Sequence, residues 1–200
     1  MRKLSIPFLM AFAMLASVAG FAEQYNIDPA HSFASFTVRH MMISNAAGRF
    51  SNVTGVVDYD EKDITKSSVE AHIKAATVNT DNETRDKDLR SPNFFDVEKY
   101  PELTFKSERV EKRGDQLVAI GTLTIHGVSK QIELPFEINK ASTPRGNAIG
   151  VTAATKLNRK DYGVNGGGSM VGDEIKIELS VEAKTAPQAP NATPPAPPKK

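Results

Sequence analysis

From Ile132 to Lys140 the chain reads IELPFEINK, with Ile132, Leu134, Phe136 and Ile138 on one side and Glu133, Pro135 and Glu137 on the other. The stretch EIKIELSVEA repeats the pattern, setting Ile175, Ile177, Leu179 and Val181 against Lys176, Glu178, Ser180 and Glu182. A period of two marks a strand with one dry and one wet face. Further strands are predicted at Ser32 to His40, Arg49 to Tyr59, Ser68 to Val78, Glu102 to Val110, Gln116 to His126 and Ile149 to Leu157, which brings the total to eight. Turn residues in KRGD (112–115), HGVS (126–129) and TPRGN (143–147) join neighbours as hairpins. Sequential antiparallel strands with short links favour a closed up-and-down barrel over a sandwich, because closure removes both edges. Pro135 predicts an irregularity in that closure, since proline belongs at an edge or a bulge.

One stretch breaks the alternation. TDNETRDKDLRSPNFF, from Thr80 to Phe95, opens with Thr80 and Glu83 at capping-box spacing, and Ser91-Pro92 stops a helix near Arg90. The spacing therefore predicts one short helix over Asp81 to Arg90, between the third and fourth predicted strands. It either covers a mouth of the barrel, anchored by Phe94 and Phe95, or plugs the core.

The inner faces of the predicted strands carry Phe36, Val38, Val57, Ile73, Phe105, Leu123, Ile125, Phe136, Val151, Ile175, Ile177 and Leu179. Small residues are interspersed at Ala34, Gly55, Ala71, Gly121 and Ala153, which leave space. A barrel of this size either fills with its own side chains or keeps room for one small ligand, and the pattern fits both. His40 falls on the inward face with Phe36 and Val38, where a ring nitrogen can orient a ligand headgroup or bond to backbone.

The two ends differ from the middle. MRKLSIPFLMAFAMLASVAGFA (1–22) places Arg2 and Lys3 before a short apolar run that closes on small residues, the pattern of a cleavable secretory signal. Its removal would take the formal charge from +1 to −1, with no broad footprint for nucleic acid. The Pro/Ala-rich segment 185–200 reads as a disordered tail, leaving residues 23–184 as one domain. No cysteine is present, which excludes lipoprotein processing, disulfides, thiol catalysis and cysteine metal sites.

Catalytic signatures are sparse. His31, His40, His72 and His126 form no local pair of metal-ligand spacing, and no Gly-x-Ser-x-Gly elbow occurs. GVNGGGS (163–169) lacks the phosphate-loop lysine and reads as a flexible rim loop. The acidic pairs in YDEKD and DNETRDKD read as solvated surface charge. No metal and no cofactor is expected.

Four segments, DPAHSFASFTVRHMMIS with GRF, TRDKDLRSPNFFDVEKYPELTF, GTLTIHGVSKQIELPFEI and LNRKDYGVNGG, together resemble the YceI-like family of secreted polyisoprenoid-binding proteins, over about Tyr25 to Ala183. The resemblance implies a lipocalin-like β-barrel with a helix near its mouth and an elongated apolar pore holding an isoprenoid chain. It marks His31, Ser32, Phe36, Val38 and His40 in the first long strand. In the helical stretch it marks Arg85, Asp86, Leu89, Arg90, Ser91, Phe94, Phe95, Tyr100 and Pro101. The family usually has histidine where this chain has Asp88, and commonly a branched apolar residue where it has Ala46.

The expected ligand-binding set is accordingly Phe36, Val38, His40, Val57, Ile73, Arg85, Leu89, Phe94, Phe95, Phe105, Leu123, Phe136, Val151 and Ile177. Arg85 and Arg90 would either meet an anionic headgroup or pair with acids such as Asp86 and Asp96. The function read from this is a periplasmic, non-catalytic carrier of a polyisoprenoid or quinone-like lipid, with transient membrane contact and a possible homodimer. A lipid-modifying enzyme, a structural envelope barrel without ligand and a small outer-membrane barrel are the alternatives.

Overall fold

A computed structural model describes residues 22–143 and 146–186. The expected secretory leader and most of the expected tail lie outside these residues, as does the centre of the TPRGN turn. Ten strands form one antiparallel sheet: β1 Glu23–Ile27, β2 Phe33–His40, β3 Ser44–Ser51, β4 Thr54–Tyr59, β5 Ser68–Lys74, β6 Glu102–Arg113, β7 Gln116–Ile125, β8 Val128–Thr143, β9 Gly146–Asn158 and β10 Val171–Thr185. The sole α-helix among the described residues, α1 at Glu83–Arg90, lies between β5 and β6.

The ladder order β1-β4-β5-β6-β7-β8-β9-β10 closes on itself through β1–β10. The hairpin β2–β3 continues the lines of β1 and β4 toward the other end, with β2 paired to the first part of β10. Ten segments thus make a barrel of eight staves, two of them interrupted, at 28–32 and at Asn52-Val53. The expected eight-stranded closed barrel is the observed one. Sequence periodicity overlooked β1, which is short, and the first half of β3, whose SNAAG holds only small and polar residues. β10 also runs to Thr185, one residue into the expected tail.

Closure is irregular where the backbone needs it. Pro135 sits in β8 just before the ladder to β9 begins at Phe136↔Ala153, while its β7 side is already paired at Val118. Its missing N–H therefore falls where β9 offers no partner in the ladder. Gly55 and Gly121 were expected to leave room inside, and they instead admit close backbone approach. A Cβ at Gly55 would collide with the Glu70 carbonyl oxygen, and one at Gly121 with that of Lys106. Gly55 also has φ +141°, in the region where side chains are disfavoured.

The outward positions carry ion pairs such as Arg113–Glu133, Lys106–Glu70 and Lys156–Glu174. A charged outer face does not meet hydrocarbon, so the lipid-facing outer-membrane barrel is excluded. Inside, the buried apolar residues divide into separate clusters rather than one continuous core, around Tyr25 and Ile149, around Phe50 and Leu103, and around Ala119 and Leu134.

The segment between β9 and β10 is tied down from within, not free as its glycines predict. The Arg159 guanidinium, with its side chain only 5% exposed, donates to the carbonyls of Val164, Gly166, Val171 and Gly172 at 2.7–3.0 Å. Removing the head of this side chain would strand several carbonyls. Arg159→Met is expected to lower unfolding stability by about 3 kcal/mol, read as a lower urea midpoint at unchanged m; an unchanged midpoint would refute that role.

Candidate ligand site

The interior holds an apolar cavity of about 190 Å³. Of the expected ligand-binding residues, Phe36, Val57, Ile73, Phe105, Leu123, Phe136, Val151 and Ile177 line it. Ala34, Ala71 and Ala153 also line it, so these three small residues do open space. Among the described residues no charged side chain reaches the lining; its polar members are Ser35, Tyr59, Ser67, Ser68, Thr104 and Thr155. Such a bore can hold an aliphatic chain and has nothing with which to solvate a charge. Its free volume is below the roughly 300–1,000 Å³ of sites that engulf a drug-sized ligand. A long chain would have to thread it in single file or turn lining side chains aside.

The remaining expected residues stand elsewhere. Val38 is buried but does not line the cavity. His40 is half-buried at the end of β2, paired across to Val171, and the ring expected to face the bore does not line it. Leu89 and Phe95 pack on the cluster of Phe50, Val78 and Leu103 at the end of the barrel beside α1, and Phe95 meets Phe50 edge-on at 5.3 Å. Phe94 points away to the glycine-rich loop, where a Cβ on Gly166 would lie 2.6 Å from its ring. These glycines form a seat for an aromatic side chain and hold the helix-to-β6 segment against the β9–β10 segment.

Arg85 lies outside the cavity, and both helix arginines bond to backbone. Arg85 donates through Nε to the Thr80 hydroxyl and through NH2 to the Thr80 carbonyl, at 2.7 and 2.8 Å. Arg90 donates to the carbonyls of Ala76 and Val78 at 2.9 and 2.7 Å. The pairing expected with Asp86 and Asp96 is not what these groups make. Asp86, 6% exposed, instead accepts from the Thr80 amide at 2.8 Å and the Thr80 hydroxyl at 2.6 Å. Thr80 is thus consumed by this latch, and the helix is capped by Asn82, whose Oδ1 accepts from the Arg85 amide. Asparagine is the stronger cap, which moves the start from Asp81 to Glu83. Asp88, where the resemblance leads to the expectation of histidine, accepts from Ser91 and Asn93 and serves the helix's C-terminal turn.

The opposite end has its own closure, which no periodicity announced. In the loop read as solvated charge, buried Asp60 accepts from the amides of Lys62 and Asp63, and its own amide donates to Ser67 Oγ. This fold-back carries Ile64, in the 3-10 turn Ile64–Lys66, onto the lining of the bore. A lone isoleucine among DEKDITKSS was the available signal.

Outside the bore, Asp28, His31 and Glu182 bring ligating atoms within 4.8 Å of one another. The Lys184 ammonium already reaches both carboxylates, at 2.7 and 2.8 Å. Its bond, with those from His31 and the Ala30 amide, holds the Asp28 carboxyl well below the usual carboxylate range.

A closed antiparallel barrel with an apolar bore and a helix packed over one end defines a lipocalin-like fold. Residues 25–183 match the YceI-like domain, and the chain belongs to that family. It is 32% identical over 186 residues to Protein YceI of Salmonella newport (strain SL254), covering 91% of this chain and 97% of that one. The solved Campylobacter jejuni YCEI protein superposes with a TM-score of 0.65 at 31% identity, over 89% of this chain and 98% of that one. The fold is shared at 17% identity, TM-score 0.64, with a polyisoprenoid binding domain from Saccharophagus degradans, over 80% of this chain and 98% of that domain.

The latch makes a local prediction. Asp86→Ala leaves the buried Thr80 amide without its acceptor and is expected to cost about 2–3 kcal/mol. Amide exchange across 83–90 should accelerate more than exchange in β7, and uniform acceleration would contradict a latch confined to the helix.

Proposed function

We propose that this protein is a periplasmic carrier that holds the hydrocarbon chain of an isoprenoid lipid, of polyprenyl or quinone type, in the barrel bore, without catalysis. The observation that carries the reading is the lining: aliphatic and aromatic side chains from both halves of the barrel, relieved only by hydroxyls. The polyisoprenoid binding named for the Saccharophagus degradans domain supports the choice of an isoprenoid, and the expected secretory leader supports the compartment. Since Arg85 and Arg90 are committed to carbonyls, a headgroup lies beyond the lining and contributes little to retention.

The energetics suit exchange with a membrane. Burying about 500 Å² of chain gains roughly 12 kcal/mol relative to water. The chain leaves a bilayer in which it is already dry, so transfer to the bore is close to neutral in hydrophobic energy. Cargo then moves between membrane and barrel while little is lost to water. β7, with ten residues, spans about 33 Å before tilt, enough for several isoprene units in line.

Ala153→Phe places a ring in the free volume of the bore. Geranylgeraniol affinity, measured by native mass spectrometry, is expected to fall at least tenfold. Tm should hold or rise, because a ring that fills a void costs no overpacking. Unchanged affinity would reject the bore as the site, and a Tm lowered by many degrees would mean the core is filled.

A further inference from the structure

At the end of the barrel that α1 covers, the β2–β3 hairpin carries a cluster of largely exposed apolar side chains. Met41 is 53% exposed, Met42 72%, Ile43 80% and, from the neighbouring β9–β10 segment, Met170 57%. Among the described residues five large hydrophobic side chains are exposed, and these are four of them. The topology places them together: the β2–β3 turn, α1, the β7–β8 turn and the end of the β9–β10 segment all join strands at the same end. The Met41 amide donates to the Met170 carbonyl at 2.7 Å, which fixes the two segments side by side.

The turn is held in a form that its residues disfavour. Met41 and Met42 have φ of 50° and 61°, values that asparagine and glycine adopt readily and methionine does not. The shape is nonetheless pinned. Ile43 N–H donates to the His40 carbonyl at 3.2 Å, and Arg39 donates to the Met42 carbonyl at 2.8 Å and to Asn45 at 3.1 Å. Methionine here gains no turn geometry and leaves more than half of its surface exposed, so its gain lies in contact with something else.

We propose that this tip docks the barrel on a lipid bilayer, with Met41, Met42, Ile43 and Met170 entering the acyl boundary. This rests on the carrier reading, which requires the mouth to meet a membrane, and it names the surface that does so. Three observations favour lipid over a protein partner. Four side chains fall far short of the roughly 20–30 residues per side of a stable protein interface, whereas a bilayer accepts small apolar insertions. Methionine is unbranched and adapts to a disordered hydrocarbon surface. Arg39, at the base of the tip, has no carboxylate partner among the described residues and can lie at the level of anionic headgroups.

The test replaces Met41→Asn and Met42→Gly together, the pair that suits the turn. Flotation with vesicles of phosphatidylethanolamine and phosphatidylglycerol (3:1) should fall at least tenfold, while Tm rises by about 2–6 °C and geranylgeraniol affinity stays within twofold. A chain that floats equally well after the exchange overturns the proposal. So does a natural chain that fails to float, or one that the exchange converts from dimer to monomer without vesicle binding, which would assign the tip to a second copy. If the natural chain floats through this tip but takes up no geranylgeraniol, docking stands and the carrier reading falls.

Discussion

Tyr25↔Thr185, Asn26↔Lys184 and Ile27↔Ala183 are the pairs through which β1 meets β10 and the sheet becomes a cylinder. Without them the inner face would be an open apolar sheet with two free edges, a template for aggregation. With them it becomes an enclosed space. Tyr25 and Ala183, at 1% and 0% exposure, sit among the most deeply buried residues. Gly55, Gly121 and Pro135 serve the same closure, each at a place where strands crowd or a ladder stops. The bore exists because the curvature needed for closure separates the apolar clusters around an axis that alanines leave unfilled.

The two ends of that axis are closed by different means with a shared logic. At one end buried Asp60 folds a polar loop so that Ile64 faces inward. At the other buried Asp86 fastens the helix to Thr80, while Leu89 and Phe95 rest on Phe50. In both, a carboxylate that accepts main-chain N–H bonds offsets its own desolvation by organising a short segment. The helical end combines this latch with the exposed methionines of the hairpin tip, so that cap and apolar surface share one end of the bore. That juxtaposition suits exchange of cargo with a membrane.

Strand periodicity made most of the barrel legible, since IELPFEINK and EIKIELSVEA each lie within observed strands and eight of the expected ligand residues reach the bore. Alternation reports which face a residue occupies. It is silent on how far along the axis that residue lies, and so Val38 and His40 share a face with Phe36 but miss the cavity. Arg85 and Arg90 read as headgroup or ion-pair residues because their charge is visible in a sequence, whereas main-chain carbonyls that accept from them leave no trace there. Phe94 and Gly166 are 72 positions apart, a pairing set by tertiary packing. The glycine run was legible as turn chemistry and illegible as a seat. Ile64 depended on an aspartate folding its own loop, a local device without periodicity.

The proposed carrier function depends on a lipid in the bore. The decisive measurement is native mass spectrometry of the protein expressed from its full sequence and purified without detergent, followed by solvent extraction. The expected result is a stoichiometric adduct that the solvent removes and that carries an isoprenoid tail. A protein that emerges without an adduct and also refuses added polyprenols and quinones would contradict it, and its function would then lie on the outer surface.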